Sequence, residues 1–245
     1  QVSALALEQA KDALARDAAD EAMAGYRRYR QLAAEEQARR WLPGPLARAS
    51  GALGAVYPKL DWAPRFLRAR TTLEAIGLSA GEAYARGVGV TPPAIRSKLY
   101  SPVFARLLQG HRGEERYVRA YDEAPARDPL SRAQYADLKI WLPGDILTKV
   151  DRASMGVSLE AREPLLDHRL VEFAAALPAR MRLRGGSGKW LMKRVLRGRL
   201  PDEILDRPKM GFVTPVSGWF RGPLAGEAAA IARGSALAET GWFDS

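Results

Sequence analysis

Asp145 and Lys149 stand four residues apart in GDILTKVDRAS, and Asp151, Arg152, Glu160, Arg162 and Asp167 follow around Pro164. A spacing of four puts Asp145 and Lys149 on one helix face, while Asp151 and Arg152 point elsewhere. As solvated ion pairs these groups would each contribute under about 1 kcal/mol. Met155, Val157 and Leu159 interleave with the charges, which sets acids and bases beside positions expected to be buried. Buried charge is tolerated only when paired. The stretch therefore reads either as structural scaffolding or as the wall of a site, and spacing alone does not separate the two.

Two other segments have the composition of phosphate-handling loops. RGGSGKW, Arg184 to Trp190, places glycines before a basic helix whose N-terminus would favour an anion. Its spacing is not that of a Walker A motif, and no Ser or Thr follows Lys189, so a plain glycine turn is the preferred reading. DRPKMGF, Asp206 to Phe212, holds Lys209 on a loop framed by Pro208 and Gly211. A lysine so framed can reach a phosphate or a developing oxyanion, and loops carry function more often than helices do.

These groups need elements to hold them. Ser3 to Ala38 is rich in Ala, Glu, Arg and Gln and reads as helix. RWLPGPLARA breaks it, and Pro58 and Pro64 punctuate the short helices that follow. Ser79 and Glu82 have the spacing of a capping box. Leu130, Ala133, Leu138 and Trp141 mark a helix that Pro143-Gly144 should end. A second helix is expected over about 149–158. A third is expected from Pro164 to about Ala176, with Leu166, Leu170 and Phe173 on one side. Strand signals are scarce, so the fold class expected is mainly α.

Composition removes several chemistries. The 245 residues include no cysteine, which excludes thiol nucleophiles, disulfides and zinc–thiolate sites. Two histidines, His111 and His168, are too few for a multi-histidine metal centre. No apolar run approaches the roughly 20 residues of a membrane span. The chain opens on Gln1 with no leader-like segment and is expected to be a piece of a longer cytoplasmic protein. The net charge of +10 suits a polyanionic partner. The arginines are spread rather than blocked, which speaks for solvation over a specific nucleic-acid surface.

Together, WLPGDILTKVDRASM, SLEAREPLLDHRLVEFAAALP, LRGGSGKWLMKRVL and LPDEILDRPKMGFVTPVSGWFRGPL resemble the synthetase domain of glutamine-hydrolysing asparagine synthetases. The match in order and wording runs over about 128–224. DEAMAGYRRYR resembles the segment that follows the family's SGDGADE loop, and REPLLDH and YRRYR are closest to the exosortase-associated amidotransferase branch.

The resemblance implies a partial asparagine synthetase-like domain over 1–245. Residues 1–30 would be the remnant of its magnesium/pyrophosphate loop region. The fold implied is the helical C-terminal half of an adenine nucleotide alpha hydrolase-like (PP-loop) α/β domain. The implied chemistry is adenylation of a small-molecule carboxylate by ATP with Mg2+. Ammonia from a separate glutaminase domain then displaces AMP to give an amide. Lys209 corresponds to the lysine that touches the phosphates and the charged intermediate. Asp20 corresponds to the acid that helps hold magnesium, and Asp17 to the earlier acid near the reacting carbonyl. Asp145 lies in the segment that supplies an acid on the acceptor side. Glu160, Arg162 and Asp167 would be structural, a packed charged wall behind the site. A homodimer is possible in such a protein.

The sequence departs from the pattern in two places. It contains no SGGxDS phosphate loop, and ARDAADE, Ala15 to Glu21, stands where the family has SGDGADE. Ala15 lacks the hydroxyl, and Arg16 and Ala18 replace glycines. The chain alone is therefore expected not to turn over ATP. A non-catalytic helical interaction domain is the alternative, and a basic nucleic-acid-binding domain a more distant one.

Overall fold

The computed structural model describes residues 2–58, 64, 69–207 and 215–244. In chain order the helices and strands begin with α1 (Val2–Leu7), β1 (Asp12–Leu14), α2 (Ala19–Ala22), α3 (Arg27–Trp41), α4 (Gly44–Val56), α5 (Arg70–Ile76) and α6 (Ala80–Val88). Then come α7 (Pro93–Leu99), α8 (Pro102–Leu107), α9 (Glu114–Asp122), α10 (Pro129–Ala136), a π-helix (Asp137–Leu147), α11 (Thr148–Met155) and β2 (Glu160–Arg162). A 3-10 turn (Pro164–Leu166) leads to α12 (His168–Ala176), α13 (Ala179–Arg182), β3 (Leu183–Arg184), β4 (Ser187–Gly188) and α14 (Trp190–Leu196). Four short helices close the chain: α15 (Asp202–Leu205), α16 (Val216–Arg221), α17 (Ala225–Ala232) and α18 (Ser235–Glu239).

The chain divides into two compact units, Gln1–Val88 with Glu114–Arg199, and Gly89–Gly113 with Leu200–Ser245. In the second, an isolated bridge joins Tyr100 to Phe243, and the Phe104 ring lies 5.6 Å from that of Trp242. The first unit holds the acidic loop and the glycine-rich turn. Its described strands form two small sheets: β1 pairs with β2 in parallel, and β3 with β4 as a hairpin. Gly185 and Gly186 have φ of 55° and 74°, as the central pair of a tight two-residue hairpin turn requires.

Mainly α is the class observed, but three expectations change. The helix read over 3–38 is interrupted at Asp12–Leu14, which pairs with Glu160–Arg162 across the sequence. That distant partner satisfies the backbone as well as a helix would, and it outweighs the local propensity of Ala and Leu. Pro143 does not end the helix begun at Pro129. The turn widens to a π-helix over Asp137–Leu147, which accommodates a residue with no N–H and a ring that would clash in an α-turn. The Thr148 hydroxyl donates to the Pro143 carbonyl at 2.7 Å. Finally, Phe173 is 53% exposed, whereas Ala174 carries the buried face of α12. Of the start signals, the capping box is present: Glu82 accepts the Ser79 N–H at 3.0 Å, and Ser79 Oγ the Glu82 N–H at 3.3 Å. Asp128 caps α10, and the Asp167 side chain caps α12.

Tyr29, Leu32, Tyr84, Tyr121, Leu130, Ala133 and Ala136 form the main core, with α3, α6 and α10 meeting around it. At its centre is a carboxylate. Asp137 is fully buried, and its Oδ2 accepts from Tyr84 Oη at 2.5 Å, from Arg28 Nη2 at 2.8 Å and from the Tyr29 hydroxyl. Burial first, and then Asp137, holds the Tyr84 hydroxyl well above the ordinary phenol range. Arg28 covers the group from outside, its guanidinium 3.9 Å from the Tyr26 ring centre and 4.9 Å from that of Trp141.

A second polar cluster joins α2, α10 and α13. The Gln134 amide donates to the carbonyls of Glu21 and Ala22, and its oxygen accepts from Arg182. Arg182 also donates to Ser131 Oγ at 2.6 Å. Glu21 accepts from the Tyr26 hydroxyl at 2.6 Å. Burial raises the Glu21 pKa above 4.5, and the Tyr26 hydrogen bond lowers it less.

Substitution of the buried acids tests both clusters. Asp137→Asn removes the charge that Arg28 faces and should cost about 3–5 kcal/mol in urea denaturation followed by circular dichroism. Glu160→Gln, on an exposed pair, should change the same midpoint by less than about 0.5 kcal/mol. For Glu21 the sign is opposite to that of a salt-bridged acid. Its folded pKa lies above the unfolded one, so its contribution is complete below about 4.5 and is lost as pH rises through the folded value. Measured from about pH 4 to 7, wild-type stability relative to Glu21→Gln should therefore fall.

Candidate functional site: an acidic loop against a glycine-rich turn

The β1–β2 ladder fixes where the acidic loop begins. Ala15 N donates to the Arg162 carbonyl at 2.8 Å, one residue past the strand. Asp17 N then donates to Glu163 Oε2 at 2.9 Å. Ala18 follows in the left-handed region at φ 70° and is 1% exposed, so a methyl occupies a strained, enclosed position of the kind glycine takes freely. The chain turns into α2 there, and α2 carries Asp20. Glu163 Oε1 is enclosed and accepts no hydrogen bond. Burial chiefly, with the neighbouring Asp17 carboxylate, raises the Glu163 pKa, while the Asp17 N–H pulls it down.

The glycine-rich turn packs onto this loop. Lys189 N donates to the Met23 carbonyl at 2.7 Å. A Cβ on Gly188 would lie 2.1 Å from the Ala24 carbonyl oxygen, so the two backbones approach too closely for any side chain. A Cβ on Gly25 would fall 1.9 Å from Asp20 Oδ1 and 2.5 Å from Lys189 Cε. These glycines leave room for one ion pair, Lys189 Nζ to Asp20 Oδ1 at 3.0 Å, partly open to solvent at 28% and 23% exposure. Lys189 itself has φ 57° and precedes α14. Arg30 donates to the Gly186 carbonyl at 3.2 Å, a second tie between turn and loop.

The candidates read from the sequence fare differently. Asp20 and the turn of Lys189 come together, although nothing in the sequence joins them. Asp17 sits one turn earlier on the same loop, beside Glu163. Glu163 stands out in the sequence only as an acid between Arg162 and Pro164. Asp145 lies on the π-helix and faces Lys149 at 3.6 Å, both side chains well exposed, as a solvated pair. Lys209 lies outside the described residues. The expected charged wall is not buried: Arg162 pairs with Glu160 at 3.2 Å and Asp12 at 3.6 Å, all about 60% exposed. Asp167 binds Arg169 at 2.8 Å on the surface and serves as a helix cap. Among the described residues, Asp137 with Arg28 is the ion pair whose carboxylate is fully buried. Among the described residues no three His, Cys, Asp or Glu side chains gather to hold a metal, and no helix is long and apolar enough to cross a membrane.

Comparison with known proteins gives the context. The family model described as asparagine synthase matches residues 2–245. A protein of Mycobacterium bovis named "Putative asparagine synthetase (glutamine-hydrolyzing)" is 31% identical over 221 residues, covering 88% of this chain and 31% of that protein. Asparagine synthetase (glutamine-hydrolyzing) 1 of Bacillus subtilis is 33% identical over 101 residues, 41% of this chain and 16% of the relative. Asparagine synthetase (glutamine-hydrolyzing) 3 of the same organism is 39% identical over 104 residues, 38% of this chain and 17% of the relative. The chain thus spans about a third or less of the length of these relatives. No solved structure is a significant match. A family match over nearly the whole chain makes this chain a member of the asparagine synthase family.

Proposed function

We propose that the protein to which this chain belongs forms an amide on a carboxylate by ATP-dependent adenylation, with ammonia supplied by glutamine hydrolysis in another domain. The observation that carries the reading is the Lys189–Asp20 pair, which puts a cation and a carboxylate together where two backbone segments meet. The residues suit magnesium held mainly by phosphates and water, which needs only one or two protein carboxylates. Asp20 would hold the metal, which when bound would neutralise charge on the departing pyrophosphate. Lys189 is close enough to exchange Asp20 for a phosphate oxygen. Asp17 would act near the acceptor carbonyl and Asp145 on the acceptor side. Lys209 would meet the charge that develops on the α-phosphate and the attacked carbon. The domain would be the helical half of a PP-loop α/β fold, with residues 1–30 contributing its magnesium/pyrophosphate loop region. The acceptor would be aspartate, or a carboxylate on a peptide or polysaccharide precursor.

A non-catalytic interaction domain is the competing reading, favoured by Ala15, Arg16 and Ala18 in place of the hydroxyl and the two glycines. Rate measurements separate the two. In the full-length protein Lys209→Ala should lower ATP-dependent amide synthesis by at least about 10²–10³, the loss of one preorganised electrostatic contact, with thermal melting and glutamine hydrolysis unchanged. Arg at this position should restore little, since it keeps the charge but not the compact geometry. Near-normal synthesis by the folded variant would remove Lys209 from the mechanism. The chain alone should release no pyrophosphate above a protein-free control when given ATP, Mg2+, aspartate and ammonia, and clear release would refute its dependence on a separate phosphate loop.

A further inference from the structure

The acidic loop has few covalent or helical restraints between Leu14 and Ala19, yet Asp17 must be held to act. Backbone pairing with β2 ends at the Ala15 N–H. Beyond it, the long-range hydrogen bond on the loop is Asp17 N–H to Glu163 Oε2, across 146 residues of sequence. Glu163 is itself well anchored. It follows directly on β2, and it accepts at 2.9 Å from Leu166 N through its own carbonyl, at the start of the 3-10 turn. The second oxygen is enclosed and accepts nothing, and the Asp17 carboxylate neighbours the Glu163 carboxyl. Two ionised carboxylates in that position would repel. A protonated Glu163 would instead give its oxygen a donor role toward Asp17.

We propose that Glu163 is a positioning residue for the acidic loop: it takes the Asp17 amide on one oxygen and bridges to the Asp17 carboxylate with the other. It acts through Asp17 and touches no reacting atom. The inference rests on the proposed adenylation reading for its functional consequence, and on the geometry alone for the clamp.

Glutamine reproduces both contacts, since its oxygen accepts the Asp17 N–H and its amide donates to the carboxylate. Valine suits the strand end but makes neither contact. In the full-length protein, Glu163→Val should lower kcat for acceptor-dependent pyrophosphate release by about 10²-fold, the scale of a 1 Å misplacement. KM for ATP should change by less than about 3-fold, because the substitution displaces residues 15–18 and leaves Asp20, on α2, in place. Glu163→Gln should stay within about 3-fold of wild type in kcat. Hydrogen exchange of the peptide spanning residues 12–18 is read alongside. Protection should fall in Glu163→Val and persist in Glu163→Gln. Wild-type turnover by a folded Glu163→Val would overturn the positioning role, and so would a Gln variant as slow as the Val variant. Unchanged exchange in Glu163→Val would overturn the clamp. A wild-type protein with no acceptor-dependent pyrophosphate release would overturn the adenylation reading, and exchange would still decide the clamp.

Discussion

A single buried carboxylate organises the larger unit. Asp137 sits at the junction of α10 with the π-helix and draws Arg28 and Tyr29 from α3 and Tyr84 from α6 onto one oxygen. An ionised group with no exposure is tolerated in a fold only when donors surround it. Here three side chains from two other helices donate to Oδ2, while Oδ1 has no hydrogen-bond partner. The requirement locks α3 and α6 to α10, and α3 carries Arg30, which reaches the glycine-rich turn. The same junction starts the π-helix that takes the chain through Pro143.

The site is built from contacts that are distant in sequence. The acidic loop is reached through a three-residue parallel pairing between residues about 150 apart, and the turn that faces it lies further along the chain still. Glycine is essential at two close approaches. At Gly188 the neighbouring backbone leaves no space for a Cβ, and at Gly25 the ion pair itself fills it. Ala18 shows the converse case, a methyl carried in a left-handed conformation. A non-glycine residue there costs about 1 kcal/mol or more, which the surrounding burial must offset.

Much of this was legible in the residues. The helical class, the Ser79–Glu82 capping box and the glycine turn at Gly185–Gly186 follow from local chemistry, because each is decided within a few residues. The family's wording placed Asp17 and Asp20 on one loop. Local signals failed where a distant partner decides the outcome. Asp12–Leu14 reads as helix until β2 is present to pair with it. The stretch from Asp145 to Asp167 reads as a buried wall because apolar residues alternate with its charges. In the fold Met155 is 56% exposed, and the charged pairs around it are solvated. A carboxylate that is fully buried, Asp137, lies beside Leu138 and Lys139 with nothing nearby to mark it.

The central proposal is chemical: that the full-length protein activates a carboxylate by transferring an adenylyl group. Pyrophosphate–ATP exchange measures this directly. With ATP, Mg2+ and acceptor present and ammonia withheld, labelled pyrophosphate should enter ATP only when the acceptor is supplied. Acceptor-dependent exchange, with AMP as the nucleotide product once ammonia is added, is the result this account predicts. ADP and inorganic phosphate as products, with no exchange under any condition, would contradict it.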